Sequence, residues 1–327
     1  MSLVRSKRCA SASRRPAFRS ESPHSERERA GSGPALRLLL GTWLCALCLL
    51  GVGCRRATPS LNTEAAPSAL HAEAPLAPSA SARAASDAQA GHALPPLVAN
   101  WVEPLPLADG NLAYVMPPIG AREPRPLIVG VHGAGDRPDW ACGGWRLGES
   151  EYAFIVCPQG LKLDPLRFAW DSPQTITRRV ESALRAVRER FGAYIAEGPV
   201  LYVGFSQGAT LAGPVLLAEP NRFPVVALAE GGYGLLRDPS FLRRLRENGT
   251  SRVMIVCGSA ACFQTASSVA PHFARAGLEL LTAGDAHAGH NLNQPMQRAL
   301  RASWPAFVSG LPNWQDFPAY LRARPQD

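Results

Sequence analysis

The chain has 327 residues and a formal net charge of +8, from 34 Lys and Arg against 26 Asp and Glu. Most of the excess lies before residue 100, where 12 basic residues face 6 acidic ones, whereas residues 100–327 carry 22 against 20. A nearly neutral C-terminal region argues against nucleic acid as a partner, because such binding needs a basic surface. This region is also long enough to form one domain with a large core.

The N-terminal segment has the order of features found in export signals. Residues 1–33 are rich in Arg and Ser, and a largely apolar run from Leu38 ends at Cys54. The run has about the length at which signal-peptide cores and membrane-spanning helices overlap. Residues 50–54 (Leu-Gly-Val-Gly-Cys) resemble a bacterial lipoprotein box, with Gly51 in place of the usual leucine. This resemblance predicts lipid attachment at Cys54 and a location in the bacterial cell envelope, facing the periplasm or the cell surface. An uncleaved membrane anchor is the alternative.

Residues 55–99 are predicted to form a disordered tether between the export signal (1–54) and a folded domain (100–327). They are rich in Ala, Pro and Ser and poor in aromatic and β-branched residues. Such a segment cannot bury enough apolar surface to offset the entropy cost of ordering. Its Pro and Ala content favours a semi-extended chain over a compact coil.

Four cysteines lie in the predicted domain and have three possible pairings. Cys257 and Cys262 flank a tight loop after a predicted strand, so we expect them to pair, which leaves Cys142 with Cys157. An oxidising compartment would favour these two disulfides over four buried thiols. A zinc site is disfavoured because the domain has no C-x-x-C pair or histidine cluster.

Strand-like and helix-like patterns alternate along the predicted domain. Short apolar runs predict strands at 111–116, 126–131, 152–156, 199–203, 224–229, 253–256 and 278–281. Amphipathic patterns predict helices at 175–191, 209–218, 239–247, 265–276 and from about 294, a loop or short helix at 138–145, and a loop at 161–173. The alternation predicts a mostly parallel sheet with helices on both faces.

Residues 204–208 (Gly-Phe-Ser-Gln-Gly) match G-x-S-x-G between a predicted strand and a predicted helix. This is the context of a nucleophile elbow, in which a strained turn exposes the serine above the carboxyl edge of the sheet. We therefore predict that Ser206 is a nucleophile. The backbone amide of Gln207 and the N-terminus of the following helix would then face an oxyanion.

A second glycine-rich turn, at residues 132–135 (His-Gly-Ala-Gly), follows the strand predicted at 126–131. Small residues here allow a backbone amide, that of Ala134, to face the same oxyanion as the Gln207 amide. We expect His132 to hold the loop through a hydrogen bond rather than to act as a base.

Together with the Gly-His pair at residues 289–290, these motifs resemble those of α/β-hydrolase-fold serine hydrolases. The similarity is to the phospholipase/carboxylesterase and dienelactone-hydrolase branches and covers roughly residues 110–310. It implies the α/β-hydrolase fold and hydrolysis of esters or thioesters without a metal or an organic cofactor. The partner would be a small ester or acyl substrate, and the oligomeric state stays open.

The resemblance also orders the catalytic groups as serine, acid and histidine along the chain. His290 fits the family's Gly-His turn better than His287. The usual aspartate is missing, because Ala261 stands at its place. Glu230, at the end of the strand after the elbow helix, is our preferred acid. Asp285 is its rival, and a Ser–His dyad is the third option.

Two functions of different classes follow from these features. The first is a serine hydrolase in which Ser206 forms an acyl-enzyme and His290 transfers the proton. The second is a non-catalytic envelope protein that uses the same fold for binding, suggested by the missing aspartate. The sequence favours the first, because a binding protein has no need of a strained serine.

Overall fold

The computed structural model describes residues 93–324. The predicted export signal (1–54), Cys54 within it, and residues 55–92 of the predicted tether lie outside the described residues. Within the described range, no helix combines the length and the apolar character needed to cross a membrane.

Ten strands lie in the described part of the chain, eight in one sheet and two in a separate hairpin. The sheet strands are β1 (Glu103–Pro106), β2 (Leu112–Met116), β3 (Arg125–Val131), β4 (Phe154–Pro158), β7 (Ile195–Phe205), β8 (Val225–Ala229), β9 (Arg252–Cys257) and β10 (Glu279–Gly284). The hairpin strands are β5 (Leu161–Lys162) and β6 (Phe168–Ala169).

The sheet order is β1-β2-β4-β3-β7-β8-β9-β10. From β4 to β10 in this order every neighbouring pair is parallel, while β1 and β2 join one edge antiparallel. The elbow sequence connects β7, near the middle of the sheet, to the next helix. The predicted α/β-hydrolase fold, with its mostly parallel sheet, is therefore confirmed.

Helices cover both faces of the sheet, as predicted. They are α1 (Pro138–Gly148), α2 (Pro173–Phe191), α3 (Gln207–Thr210), α4 (Gly213–Leu216), α5 (Tyr233–Arg237), α6 (Pro239–Glu247), α7 (Ala260–Ala276), α8 (Gln294–Val308) and α9 (Phe317–Ala323). Residues of α1, α8 and α9 belong to one hydrophobic core, and residues of α2 to α7 belong to a second. Successive residues of β3 and β7 alternate between these cores, which therefore lie on opposite faces of the sheet.

Helix α2 shows how local sequence fixes an element. The Ser172 side chain accepts a hydrogen bond from the amide of Thr175, and Pro173 occupies the first turn, where it costs no hydrogen bond. Apolar residues at helical spacing, such as Ile176 and Val180, are fully buried. Gly192 ends the helix with a positive φ of 43°.

The elbow helix differs from its prediction. Instead of one helix over 209–218, the structure has α3 and α4, each of 4 residues, separated by Leu211 and Ala212. Pro214 explains the break, since it has no amide hydrogen to bond the Thr210 carbonyl and its ring would clash there. A helix this short carries little macrodipole, so the expected potential at its N-terminus is small.

The folded domain begins before the predicted boundary at residue 100, so the end of the predicted tether is wrong. The amides of Leu94 and Leu97 donate to the carbonyls of Arg122 and Ala121, at 2.8 and 2.9 Å. Leu97 is only 7% exposed and belongs to a hydrophobic core. Two leucines therefore order the last residues of a segment whose composition predicted disorder.

The four cysteines of the domain are joined as the sequence predicted. The sulfur atoms of Cys142 and Cys157 are 2.07 Å apart, and those of Cys257 and Cys262 are 1.96 Å apart. The first pair joins α1 to β4. The second closes the short turn between β9 and α7.

Candidate active site

Ser206 lies on a sharp turn between the last residue of β7 and the first residue of α3. Its φ of 51° and ψ of −109° are unusual for a residue with a side chain and indicate a strained backbone. The turn depends on Gly208, because a Cβ there would collide with the Val131 carbonyl oxygen. The Ser206 amide donates to Ala229 at 2.8 Å, which ties the turn to β8.

The structure brings His290 to the serine. The Nε2 atom of His290 is 2.8 Å from the Ser206 Oγ atom, a hydrogen-bond distance. The imidazole packs on Phe205, with ring centroids 4.9 Å apart, and its side chain is 55% exposed. His287, the alternative base, is exposed, and within residues 93–324 it makes no hydrogen bond to Ser206.

Glu230 lies on the other side of His290, directly after β8. Its Oε2 atom is 3.8 Å from His290 Nδ1, longer than a hydrogen bond. The side chain is only 8% exposed and is surrounded by donors. The Gly258 amide and the Ser259 hydroxyl donate to Oε1, and the Tyr233 hydroxyl donates to Oε2 at 3.4 Å. Glu230 also has a positive φ of 47°, so both the serine and this glutamate lie on strained turns.

The rival acid is directed elsewhere. The Asp285 Oδ1 atom accepts a hydrogen bond of 2.8 Å from the His287 amide, which closes a turn within the loop after β10. Ala261, at the place of the family's usual aspartate, lies in the first turn of α7 and is exposed. Of the predicted acids, Glu230 is therefore the one that faces His290.

The two amides predicted to bind an oxyanion have no other partner in the described part of the chain. Within residues 93–324, neither the Ala134 amide nor the Gln207 amide donates a hydrogen bond to another group. Ala134 and Ser206 line the same cleft, and a Cβ on Gly133 would lie only 3.0 Å from that of Ser206. The loop at 132–135 therefore lies directly against Ser206, and two donors remain available beside it.

His132 is a structural residue, as expected from the sequence. It is fully buried, its Nδ1 lies 2.7 Å from the Gly133 carbonyl, and its Nε2 accepts a hydrogen bond of 3.0 Å from the Gly160 amide. This pattern fixes the neutral tautomer with the proton on Nδ1. Burial lowers the pKa of His132 to about 4, which keeps the ring uncharged.

The side chain of Gln207 has a role that the sequence did not reveal. Its Oε1 accepts a hydrogen bond from the Trp170 amide, and its Nε2 donates to the Trp170 carbonyl, both at 2.8 Å. The Trp170 indole in turn donates to the His132 carbonyl at 3.0 Å. Gln207 thus links the elbow to the loop before α2 and to the loop at 132–135. No sequence signal predicts this link, because the paired residues are 37 positions apart.

The serine opens into a cleft of about 560 Å³. Its walls come from the segment before β1, the loop between β3 and α1, α1 itself, the elbow, the segment after β10 and the first turn of α8. The lining residues are Trp101, Ala134, Gly135, Asp136, Asp139, Trp140, Ala141, Gly143, Gly144, Leu147, Phe205, Ser206, His290, Asn291, Leu292 and Gln297. Among residues 93–324, no group of three or more His, Cys, Asp or Glu side chains is arranged to hold a metal ion.

No protein-family model matches the chain, and no curated protein matches its sequence. Similar solved structures include a ferulic acid esterase (14% identity, covering 63% of this chain and 96% of that chain, TM-score 0.46). A carboxylesterase from Mesorhizobium loti is 16% identical over 62% of this chain and 99% of its own, with a TM-score of 0.44. Est1E from Butyrivibrio proteoclasticus is 10% identical over 64% of this chain and 100% of its own, with a TM-score of 0.45. Similarities this distant carry no information about activity, which must be inferred from the site itself.

Proposed function

We propose that this protein is a serine hydrolase that cleaves small carboxylic esters through an acyl-enzyme on Ser206. The supporting observation is the hydrogen-bond distance of 2.8 Å between Ser206 Oγ and His290 Nε2, with the serine on a strained turn above the sheet edge. A nucleophile in contact with a base, which is itself oriented by a third group, is the arrangement that covalent hydrolysis requires.

In the first half of the reaction, Ser206 Oγ attacks the ester carbonyl while His290 Nε2 takes the hydroxyl proton. The carbonyl π electrons move to oxygen, and the amides of Ala134 and Gln207 donate to the resulting oxyanion. Collapse of this intermediate breaks the bond to the alcohol oxygen, which receives the proton from His290. The acyl group then remains on Ser206.

In the second half, water replaces the alcohol. His290 removes a proton from water as it attacks the acyl carbonyl, and returns that proton to Ser206 when the acid product departs. Neither half uses a metal or an organic cofactor. A thioester would follow the same steps with a thiol as leaving group, and it belongs to the same proposal.

Glu230 is the proposed orienting acid. Shortening its 3.8 Å separation from His290 Nδ1 by about 1 Å would create a hydrogen bond, and such contacts often tighten only when substrate binds. This bond would hold the proton on Nδ1, leave Nε2 free to accept the serine proton, and stabilise the imidazolium. The three donors around Glu230 hold its carboxylate in place.

A fluorophosphonate probe tests the proposal, because it labels serines activated by a neighbouring base. We expect labelling of the wild type and none of Ser206→Ala. Ser267→Ala, which changes an exposed serine on α7, should label like the wild type. Equal labelling of wild type and Ser206→Ala would contradict Ser206 as the nucleophile, and no labelling of either would favour the non-catalytic binding protein.

We also propose that the protein is exported and lipid-anchored at Cys54. The order of basic segment, apolar run and Cys54 supports this, as do the two disulfides, which are typical of oxidising compartments. A clickable fatty-acid analogue should label the wild type in bacterial cells and leave Cys54→Ala unlabelled. Equal labelling of the two would rule out lipid attachment at this residue.

A further inference from the structure

Three large apolar side chains of the cleft are exposed to solvent. Trp140 is 67% exposed, Trp101 44% and Leu147 36%, and all three line the space in front of Ser206. Clustered apolar groups of this kind in a concave site usually contact a ligand. The cleft therefore offers an aromatic wall to whatever group enters it.

Both indoles are held in place although they are exposed. The guanidinium of Arg137 lies 4.7 Å from the centre of the Trp140 ring, and that of Arg146 lies 5.3 Å from the centre of the Trp101 ring. Trp101 also packs closely on α1 at Gly143, where an added Cβ would lie 3.3 Å from the indole. Aromatic groups that are already ordered lose little entropy when a flat ligand stacks on them.

The charge of the cleft restricts the ligand further. Among residues 93–324, its lining contains two carboxylates, Asp136 and Asp139, and no lysine or arginine. The nearby Arg137 is occupied, because its Nε and Nη2 atoms both donate to Asp139. Because Asp139 and Arg137 compensate each other, an anionic group in the cleft would meet the carboxyl group of Asp136 without a free cation in the described lining to offset it.

We infer that the ester cleaved at Ser206 is uncharged and carries an aryl group, which stacks on Trp140 and Trp101 in the cleft. This inference rests on the proposed function, because it names the substrate of the same serine. It makes the two tryptophans specificity-determining residues. It also disfavours substrates with phosphate or carboxylate groups near the scissile bond.

Three matched ethyl esters test this substrate class. Ethyl 3-phenylpropanoate and ethyl 3-cyclohexylpropanoate differ in aromaticity at similar size, and ethyl 3-(4-carboxyphenyl)propanoate adds a negative charge. Acid release is followed by pH-stat titration. The phenyl ester should have a kcat/KM about three- to tenfold above that of the cyclohexyl ester, the range that aromatic stacking supplies, and the carboxylated ester should be the poorest. Equal values for phenyl and cyclohexyl esters, or efficient cleavage of the carboxylated ester, would overturn the inference.

Variants of the two tryptophans test whether the preference for the phenyl ester arises in the cleft. Trp140→Ala should remove most of the preference for the phenyl ester by raising its KM, while Trp140→Phe should keep much of it. Ile119→Ala, which removes an exposed apolar side chain outside the cleft lining, should leave the preference unchanged. A preference that survives in both Trp140→Ala and Trp101→Ala would show that the ring binds elsewhere.

Binding to Ser206→Ala separates this inference from the proposed function. Calorimetry on this variant measures affinity for the uncleaved esters. Tighter binding of the phenyl ester, together with no hydrolysis by the wild type, would support the aryl site and contradict the hydrolase. Hydrolysis by the wild type, together with equal affinity of Ser206→Ala for both esters, would support the hydrolase and contradict the aryl site.

Discussion

Two glutamates at opposite ends of the sheet show how differently one fold can treat a carboxyl group. Glu230, at the carboxyl end of β8, is 8% exposed and has donors from Gly258, Ser259 and Tyr233 around it. Glu149, before β4 at the opposite end, is fully buried. Its Oε2 accepts hydrogen bonds from the backbone amides of two residues that follow it in the chain. Its Oε1 has no hydrogen-bond partner in the described residues.

The difference shows that the arrangement of donors, as well as burial, decides what a carboxyl group can do. Burial raises the pKa of Glu149 to about 8, so that this side chain is best accommodated in its protonated form. Glu230 has donors to both oxygens and one face directed at His290. We expect the first residue to affect stability and the second to affect catalysis.

The largest expected effect comes from Glu230→Gln, which keeps the shape and removes the charge. If Glu230 orients His290, kcat should fall on the order of 10²–10⁴-fold with little change in melting temperature. Hydrolysis of p-nitrophenyl acetate and a thermal melt measure both quantities. Asp285→Asn is the matched control and should stay near the wild type, since its carboxylate serves a local turn.

Other outcomes would reassign the acid. A loss in Asp285→Asn with normal activity in Glu230→Gln would transfer the role to Asp285. Normal activity in both variants, with an inactive Ser206→Ala, would indicate a Ser–His dyad.

A second prediction concerns stability against pH at the opposite end of the sheet. The pKa of Glu149 is about 8 in the folded protein and about 4.5 as the ordinary value. Between these values unfolding releases a proton, so the free energy of unfolding should fall as pH rises. Glu149→Gln mimics the protonated group and should remove this fall, gaining on the order of 4 kcal/mol over the wild type at pH 8.

Thermal melts at pH 5 and pH 8 measure this effect. Wild type and Glu149→Gln should melt at similar temperatures at pH 5, and the variant should melt higher at pH 8. Glu247→Gln, which changes an exposed glutamate on α6, controls for the loss of one charge. If the melting temperature of the wild type instead rose relative to that of Glu149→Gln as the pH increased, the predicted fall in stability with pH would be contradicted.

The two disulfides should also differ in how their removal affects stability and kcat. The Cys142–Cys157 bond closes 15 residues and the Cys257–Cys262 bond closes 5, so their removal should cost about 3 and about 2 kcal/mol. The shorter loop carries Gly258 and Ser259, which donate to Glu230. Replacing Cys257 and Cys262 with alanine should therefore also lower kcat, by about tenfold through misplacement of the acid. Denaturant titration and kinetics of both double variants provide the test, and a larger kcat loss in the Cys142–Cys157 variant would contradict it.

The smallest expected effect is that of Gln207→Glu. This change replaces the Nε2 donor with an oxygen that faces the Trp170 carbonyl, while the backbone amide at the proposed oxyanion site stays. We expect kcat to fall about tenfold, consistent with the loss of one or two hydrogen bonds that position the neighbouring loop. Gln264→Glu, which changes an exposed side chain on α7, should leave kcat unchanged. Unchanged kcat in Gln207→Glu would mean that the loop does not depend on this link.

Much of the fold was predictable because its signals are local. Apolar runs marked the central strands, and the G-x-S-x-G context placed Ser206 at the turn where the structure has it. The break before α4 was also predictable in principle, since Pro214 cannot donate the hydrogen bond that a continuous helix needs. Strand β1 was missed, because four residues with two prolines give no β-strand pattern.

The rest of the site depends on contacts between distant parts of the chain. Two of the three donors to Glu230, Gly258 and Ser259, come from a turn that begins 28 residues away in sequence, and the sheet order brings this turn to Glu230. Similarly, the burial of Glu149 could not be inferred from residue type, because isolated carboxyl groups are usually exposed. The sequence could name Glu230 as a candidate, but the structure was needed to show which side chains surround it.

The positions of Ser206 and Glu230 at the ends of adjacent strands matter for protein engineering. The Ser206 amide bonds to Ala229, and the Glu230 amide bonds to Val256, so the hydrogen-bond ladder of the sheet reaches both residues. Their spacing is therefore set by the sheet, whereas the aromatic wall of the cleft is carried by α1 and by the segment before β1. New selectivity can accordingly be sought by diversifying positions 101, 140 and 147, which leaves the strand ends that carry the proposed nucleophile and acid untouched.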